Sequence, residues 1–500
     1  MTETSSSGAE APIWSRRTVA LGATAALLVI AGDFLFYRHE PGISLALFFG
    51  AAVAALVVLN WDRMRDRKVL IAVGVAVFGL LPLIEAPTFT GVLWGLFGVS
   101  ILALAIAGEL PSRFEDLTAT LLRFGLLAPV RLAGDGLRVL SEAGQQKAGR
   151  TLLRGLLVWL VPIGFAAVFA FLFVAANPIL ESWLRAIRLE ALLDLVDPAR
   201  FILWSLLAVM VWPLLAPRLL KLPGVGAMQG PVLPRVEGVI FGTVAIRNSL
   251  VLFNAIFAVQ SVMDLLFLWG GVRLPDGMSH AEYAHRGAYP LIVTALLAAC
   301  FVLAAMRKGG AGERSPLIRW LVYLWIGQNV LLVVSSILRL ELYVEEFALT
   351  ELRLAAGLWM ALVAAGLVLI LARIVLGRSN AWLVTANLTA LAVLLYGVSV
   401  VDTKALIGWY NVGHAFEITG KGQRLDLYQM GDLGWTAMPA LDWFLDHVPE
   451  DRVSDAYRDL RLMRSAQAEL AIQPIDWQSW SWRGERLRRY VLEHPYAPGS

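Results

Sequence analysis

The residues able to do chemistry in this chain sit where chemistry is costly. Arg247, Asn254, Gln260, Ser261 and Asp264 interrupt one long apolar run, 238–269. Arg247, Asn254 and Ser261 are seven apart, so on a helix they drift only about 20° per step and share a face. Gln260 and Asp264 are four apart and form an adjoining stripe. Polar groups at membrane depth usually face a bundle interior or a wet cavity. Such a stripe suits a substrate or ion pathway lined by Arg247, Asn254, Gln260 and Asp264. The plainer reading puts Arg247 at the inner headgroups and Asp264 at the outer interface, with the amides bonding neighbouring helices.

A second group follows at 279–289. Ser279 with Glu282 three residues on is a capping box, which gives the carboxylate a structural task. Tyr283 and Arg286, one turn apart, could face an outer cavity. Asp33 and Glu40 bracket the first loop as candidate acids of a transferase acting on a lipid, although Asp33 also reads as a plain helix-end residue. The six histidines give no helical metal-ligand pair, since His280 and His285 are five apart. The one cysteine, Cys300, lies in an apolar run and can form no internal disulfide. There is no phosphate-binding Gly-rich loop, no Gly-x-Ser-x-Gly elbow and no His-Glu-x-x-His helix. No metal, cofactor or nucleic-acid partner is implied.

The elements that must carry these residues are membrane helices. Mean hydropathy is +0.67 and only 16% of residues are charged. A hydrocarbon core of roughly 30 Å needs about twenty apolar residues. About eleven runs qualify: 18–36, 43–60, 69–84, 88–107, 152–175, 200–216, 238–269, 288–306, 318–338, 352–373 and 381–401. The fold class is all-α, a polytopic transmembrane bundle with a small helical C-terminal tail domain. Residues 1–17 read as a disordered N-tail, 18–401 as the bundle and 402–500 as the tail. Val19–Phe36 is long for a signal peptide and lacks a small-x-small cleavage site, so it reads as a retained helix.

Loop charge orients the bundle. Alternate loops hold about twenty-one Lys and Arg on one side, from Arg16 and Arg17 to Arg373 and Arg378. The opposite loops hold about seven: Arg38, Arg185, Arg188, Arg200, Arg273, Arg286 and Arg339. The positive-inside rule then places the N-terminus in the cytoplasm and the tail outside a cell (plasma or inner) membrane. All six histidines fall on the outer side. Segment 111–150 interleaves Leu with Arg and reads as an amphipathic helix on the inner leaflet. Segment 179–196 is a second amphipathic stretch, on the outer face. The tail is rich in Trp, and Pro449 and Pro474 divide it into short helices.

The segment His280-Ala281-Glu282-Tyr283-Ala284-His285-Arg286-Gly287 resembles the Tyr-Ala-Glu-Tyr-Ala-x-Arg-Gly signature of a bacterial multi-pass membrane family defined only as a domain of unknown function. It departs at His280, where that pattern has Tyr, and at His285. Three further stretches resemble the same family: Ala31–Tyr37 with Pro41-Gly42, Leu425–Tyr428 with Met438–Leu441, and Asp476-Trp477-Gln478-Ser479-Trp480. The resemblance implies an integral membrane protein and brings no catalytic residues. The expectation is a non-enzymatic scaffold, sensor or accessory factor, in contact with the bilayer and with a protein partner on its outer face. A transporter using the polar seventh span, or a lipid-linked glycosyl or acyl transferase, is the alternative.

Overall fold

The computed structural model describes residues 16–111, 114–143, 197–217, 243–266, 315–449 and 456–495. Among these every regular element is helical. Eight helices are long and apolar enough to cross a membrane, nine if a pair bent by 47° at 116–136 counts as one span. Ile43–Leu59 is apolar but shorter. The protein is therefore a multi-pass helical membrane protein. The expected spans 152–175 and 288–306, and the amphipathic stretch 179–196, lie outside the described residues.

The chain divides into two compact units, 1–223 with 475–481 and 224–474 with 482–500. The first holds α1 (Arg16–Phe36), α2 (Ile43–Leu59), α3 (Arg67–Glu85), α4 (Phe89–Ala107), α5 (Phe114–Leu126), α6 (Ala128–Ala143) and α7 (Pro198–Leu215). Helix α3 starts where the Asp66 side chain accepts the Lys68 amide, and α4 where Thr88 accepts that of Gly91. Their helices cross closely because the contact is glycine and alanine. A Cβ on Gly79 would stand 2.6 Å from the Trp94 carbonyl, and one on Gly98 2.8 Å from Ala76 Cα. Small residues let membrane helices approach and gain van der Waals contact, the main attraction left where hydrocarbon surrounds everything.

The second unit holds α8 (Thr243–Asp264), α9 (Pro316–Phe347), α10 (Glu351–Val375), α11 (Asn380–Val400), α12 (Thr403–His414), α13 (Phe416–Thr419), α14 (Leu427–Leu433), α15 (Met438–His447), α16 (Ala456–Ile472) and α17 (Trp482–Glu493). Ser315, Thr350, Ser379, Asp402 and Asp426 cap α9, α10, α11, α12 and α14 through their side chains. The 32 residues of α9 span about 48 Å. That exceeds the hydrocarbon core, and the excess has its own task. Val344 and Leu349 join Ile407, Met430, Leu441 and Phe444 in one apolar cluster. The helix that crosses the membrane thus also seeds the core of residues 403–460. Segment 318–338, expected to end before a loop holding Arg339, is instead the middle of a continuous helix.

The last helix is tied down by a buried guanidinium. Arg464, 1% exposed, forks onto Asp442 at 2.8 and 3.0 Å and donates to the His494 carbonyl. Tyr490 donates to the same carboxylate, and burial pushes its hydroxyl well above the ordinary phenol range.

Replacing Gly98 by Val should destabilise the α3–α4 pair by about 1–3 kcal/mol, the usual cost of overpacking. The check is thermal unfolding in detergent. Gly74→Ala, where the added carbon meets nothing within 4 Å, should leave the midpoint unchanged.

Candidate functional site

Helices α8 and α9 lie parallel, and their contact is a polar seam. Near mid-helix, Asn254 Nδ2 donates to the Leu250 and Leu321 carbonyls, and Gln328 Nε2 donates to the Asn254 carbonyl. Trp325 packs there between Phe253 and Phe257, with ring centroids at 5.6 and 5.9 Å. At the end where α8 stops, Arg339 is paired with Asp264, which also accepts from Gln260 at 2.9 Å. Arg339 is 3% exposed and Asp264 fully buried. Both lie about 30–35 Å from the start of their helices by helical rise. A buried pair holds its energy in mutual contact, since neither ion has water to fall back on.

Five side chains of this seam keep an unshared oxygen among the described residues: Asn254 Oδ1, Ser261 Oγ, Gln328 Oε1, Asn329 Oδ1 and Ser335 Oγ. The asparagine amides are oriented by their N–H bonds to the carbonyls one turn back, Leu250 for Asn254 and Trp325 for Asn329. Their acceptor ends are therefore what the seam presents. Arg247 does not join it. Its guanidinium is exposed and bonds the neighbouring Asn248 side chain at 3.3 Å. The stripe on α8 runs instead through Ile246, Leu250, Asn254, Phe257, Ser261 and Asp264.

Asp33 lies in the first unit and has no spare oxygen for catalysis. Arg200 Nε and Nη2 reach Oδ1 and Oδ2 at 2.8 and 2.5 Å, and Trp204 Nε1 reaches Oδ1 at 2.9 Å. Alongside, Tyr37 donates to Asp197, which caps α7 through the Ala199 and Arg200 amides. The Arg200 guanidinium also covers the Tyr37 ring at 4.8 Å. This is an antiparallel clasp between the end of α1 and the start of α7. Glu282, Tyr283 and Arg286, with the 279–289 segment, lie outside the described residues.

Two of the stretches singled out in the sequence meet. The turn at Pro41-Gly42 carries residues 476–480 across it. Ile43 N–H donates to the Trp480 carbonyl at 2.6 Å, Ser479 Oγ to the Glu40 carbonyl, and His39 Nδ1 pairs with Asp476 at 2.9 Å. A Cβ at Gly42 would stand 2.3 Å from the Ser479 carbonyl carbon, so only glycine admits the crossing strand of chain. Sequence spacing had no means of pairing segments more than 430 residues apart.

A site that the sequence reading missed lies beyond the end of α9. Residues 410–426 fold back over Val344, Glu345 and Ala348 and leave a cleft of about 330 Å³. Its charged lining is Glu345, Lys421, Arg424 and Asp426, with the His414 ring beside them. Burial, with Glu345 and Glu341 nearby, pushes the Tyr410 hydroxyl above its ordinary value. The floor is strained. Ala348 holds φ 61° and ψ 171°, a region almost confined to glycine. It is held there by its neighbours: Asn411 receives the Leu349 N–H at 2.8 Å and returns a bond to its carbonyl at 2.9 Å. Gln429 adds a bond to the same carbonyl, and Arg353 binds those of Phe347 and Ala348. The signal in the sequence was the polar, Gly-punctuated stretch 419–426.

The tail histidines have structural partners. His414, His447 and His494 each donate Nδ1–H to the carbonyl one turn back, at 2.8, 2.8 and 3.0 Å. Each also stacks on the aromatic ring four residues earlier. Among the described residues no three His, Cys, Asp or Glu side chains are grouped as metal ligands.

A family model, domain of unknown function DUF4153, matches residues 48–443. The chain belongs to the DUF4153 family. No curated protein matches it, and no solved structure does. The DUF4153 match takes in both the α8–α9 seam and the 410–426 cleft.

Removing one partner of the buried pair, in Asp264→Ala, should cost about 3–5 kcal/mol by leaving a charge stranded. The double variant Asp264→Ala with Arg339→Met should recover much of that loss, read as the unfolding midpoint in detergent.

Proposed function

We propose that the protein is a non-enzymatic accessory factor or sensor of a cell membrane, acting through its outer face. The observation that carries this reading is the contrast between its charged groups. Asp33 and Asp264 are spent on Arg200, Trp204, Arg339 and Gln260. The 410–426 cleft instead keeps Lys421, Arg424, His414 and Glu345 at an accessible surface. A cleft of about 330 Å³ falls in the range that holds small ligands or a partner's side chain.

The proposed topology is eleven spans, N-terminus cytoplasmic and residues 402–500 extracytoplasmic in a bacterial inner membrane. Two helix packings support it. Helices α8 and α9 run in the same direction, as a seventh and a ninth span would. Helices α1 and α7 run oppositely, as a first and a sixth span would.

A transporter is the second reading, favoured by the unshared seam oxygens of Asn254, Asn329 and Ser335. The transferase reading loses support because Asp33 has both oxygens engaged.

Two measurements test the proposal. A reporter active only outside the cell, fused after residue 401, should be active, and activity of a cytoplasmic reporter alone there would reverse the orientation. Purification from native membranes should retain a partner protein that is lost in Lys421→Glu with Arg424→Glu. Retention by that variant would remove the cleft from the function, and substrate flux into proteoliposomes that depends on Asn329 would favour transport.

A further inference from the structure

The turn that joins α2 to α3 gathers positive charge and pairs none of it. Trp61–Arg65 forms one tight 3-10 turn, in which the Arg63 amide donates to the Asn60 carbonyl at 2.9 Å and the Asp66 amide to that of Arg63 at 3.0 Å. Met64 packs on the apolar core of the first unit and roots the turn there. On this ordered platform Arg63, Arg65, Arg67 and Lys68 stand exposed. Among the described residues none of the four forms an ion pair or a side-chain hydrogen bond. Two acids share the turn: Asp66 is engaged in capping α3, and Asp62 is exposed. Four cations against two acids leave an excess of positive charge. Arg17, which donates to Asn60 Oδ1 at 3.1 Å, adds to it from the start of α1.

What flanks the turn fixes its depth. Helix α2 has 17 residues, about 26 Å by helical rise, less than a hydrocarbon core of roughly 30 Å. A span that short draws its ends to the hydrocarbon edge. Val58 before the turn, and Leu70 and Ile71 after it, are 72%, 54% and 58% exposed, which on membrane helices is exposure to lipid. Trp61 stands between them, 70% exposed, and the headgroup level is where an indole is best accommodated. Helix stability does not account for the cations. Arg67 and Lys68 open α3, where the helix dipole disfavours positive charge.

We propose that this turn binds the headgroups of anionic phospholipids, with Arg63, Arg65, Arg67 and Lys68 on their phosphates and Trp61 at the boundary with the acyl chains. Cations clustered beside a membrane helix attract anionic lipid by summed charge, with no closed pocket required. A soluble acidic partner would engage the cations and leave Trp61 without a role, whereas the bilayer engages both. The surface belongs to the first unit and is independent of the 410–426 cleft. It holds on whichever side of the membrane the turn lies.

The test uses the full chain in lipid nanodiscs that carry a diazirine-bearing phosphatidylglycerol or, separately, the phosphatidylcholine with the same acyl chains. Phosphatidylglycerol should label peptides of the α2–α3 turn several-fold more than phosphatidylcholine. Salt at about 1 M, where the Debye length is about 3 Å, should erase most of that difference. Replacing all four cations, in Arg63→Gln with Arg65→Gln, Arg67→Gln and Lys68→Gln, should abolish the preference. Trp61→Ala should lower labelling by both lipids. Equal labelling of the wild type by the two lipids would overturn the proposal, as would a preference that survives salt or the fourfold variant. Labelling by both lipids unchanged in Trp61→Ala would also overturn it and assign the cations to a soluble acidic partner. The salt arm needs only the wild-type protein, so it decides the matter even where a variant fails to fold.

Discussion

Hydrocarbon offers no hydrogen bonds, and that lack governs the arrangement of this protein. Any polar side chain that enters must find its partner inside the bundle. Asp264 and Arg339 show how strict the demand is. Each alone would make its helix expensive to insert. Together, with Gln260 on the carboxylate, they become a clamp. The clamp works at one register, because sliding α9 by a turn would move Arg339 about 5 Å along the axis. Apolar packing of Phe253, Phe257 and Trp325 is tolerant of such slips, whereas a buried ion pair is not. The pair therefore acts as the index mark for the second unit.

The mark has consequences further along α9. Arg339 is eight residues from the end of that helix, so fixing it fixes Val344 and Leu349 as well. Those two enter the apolar cluster with Ile407, Met430 and Leu441. The strained Ala348 follows at once, and Asn411, Gln429 and Arg353 hold the backbone around it. A conformation that costs on the order of 1–3 kcal/mol persists only where its surroundings over-determine it. Here the surroundings are the cleft, so its shape is set partly by a charge pair inside the bundle. A ligand or partner in the cleft would press on α9, and α9 runs directly into the seam.

The sequence made the helices legible and left their partners obscure. Apolar runs marked most of the described spans within a few residues, since length and hydropathy are local properties, but the run 318–338 stopped nine residues short of the end of α9. The same local view misplaced Arg339. Its apolar run stops at 338, so the residue looked like a loop cation, and only tertiary packing shows it as the partner of Asp264. Arg247 erred the other way. Heptad spacing set it on one face with Asn254 and Ser261, but it lies near the helix start, exposed beside Asn248. Periodicity names a face and says nothing of how far along the helix the neighbour extends. The Asp33–Arg200 clasp and the Gly42–Ser479 crossing were beyond reach for another reason: their partners lie 167 and more than 430 residues away.

The two acid centres look alike in composition and differ in physics. Asp33 faces Arg200, whose side chain is 45% exposed, and aromatic rings of Tyr37 and Trp204 flank it. Water reaches that clasp, so its Coulomb energy is screened and its main effect is to hold the end of α1 against α7. Asp264 and Arg339 have no such screen. Loss of either partner there strands an ion in a place that cannot solvate it. A charge pair that water can reach tolerates relative motion of its helices, and one sealed from water resists it. By that argument the α8–α9 seam is the rigid reference of its unit. Movement coupled to the 410–426 cleft would have to turn α8 and α9 together.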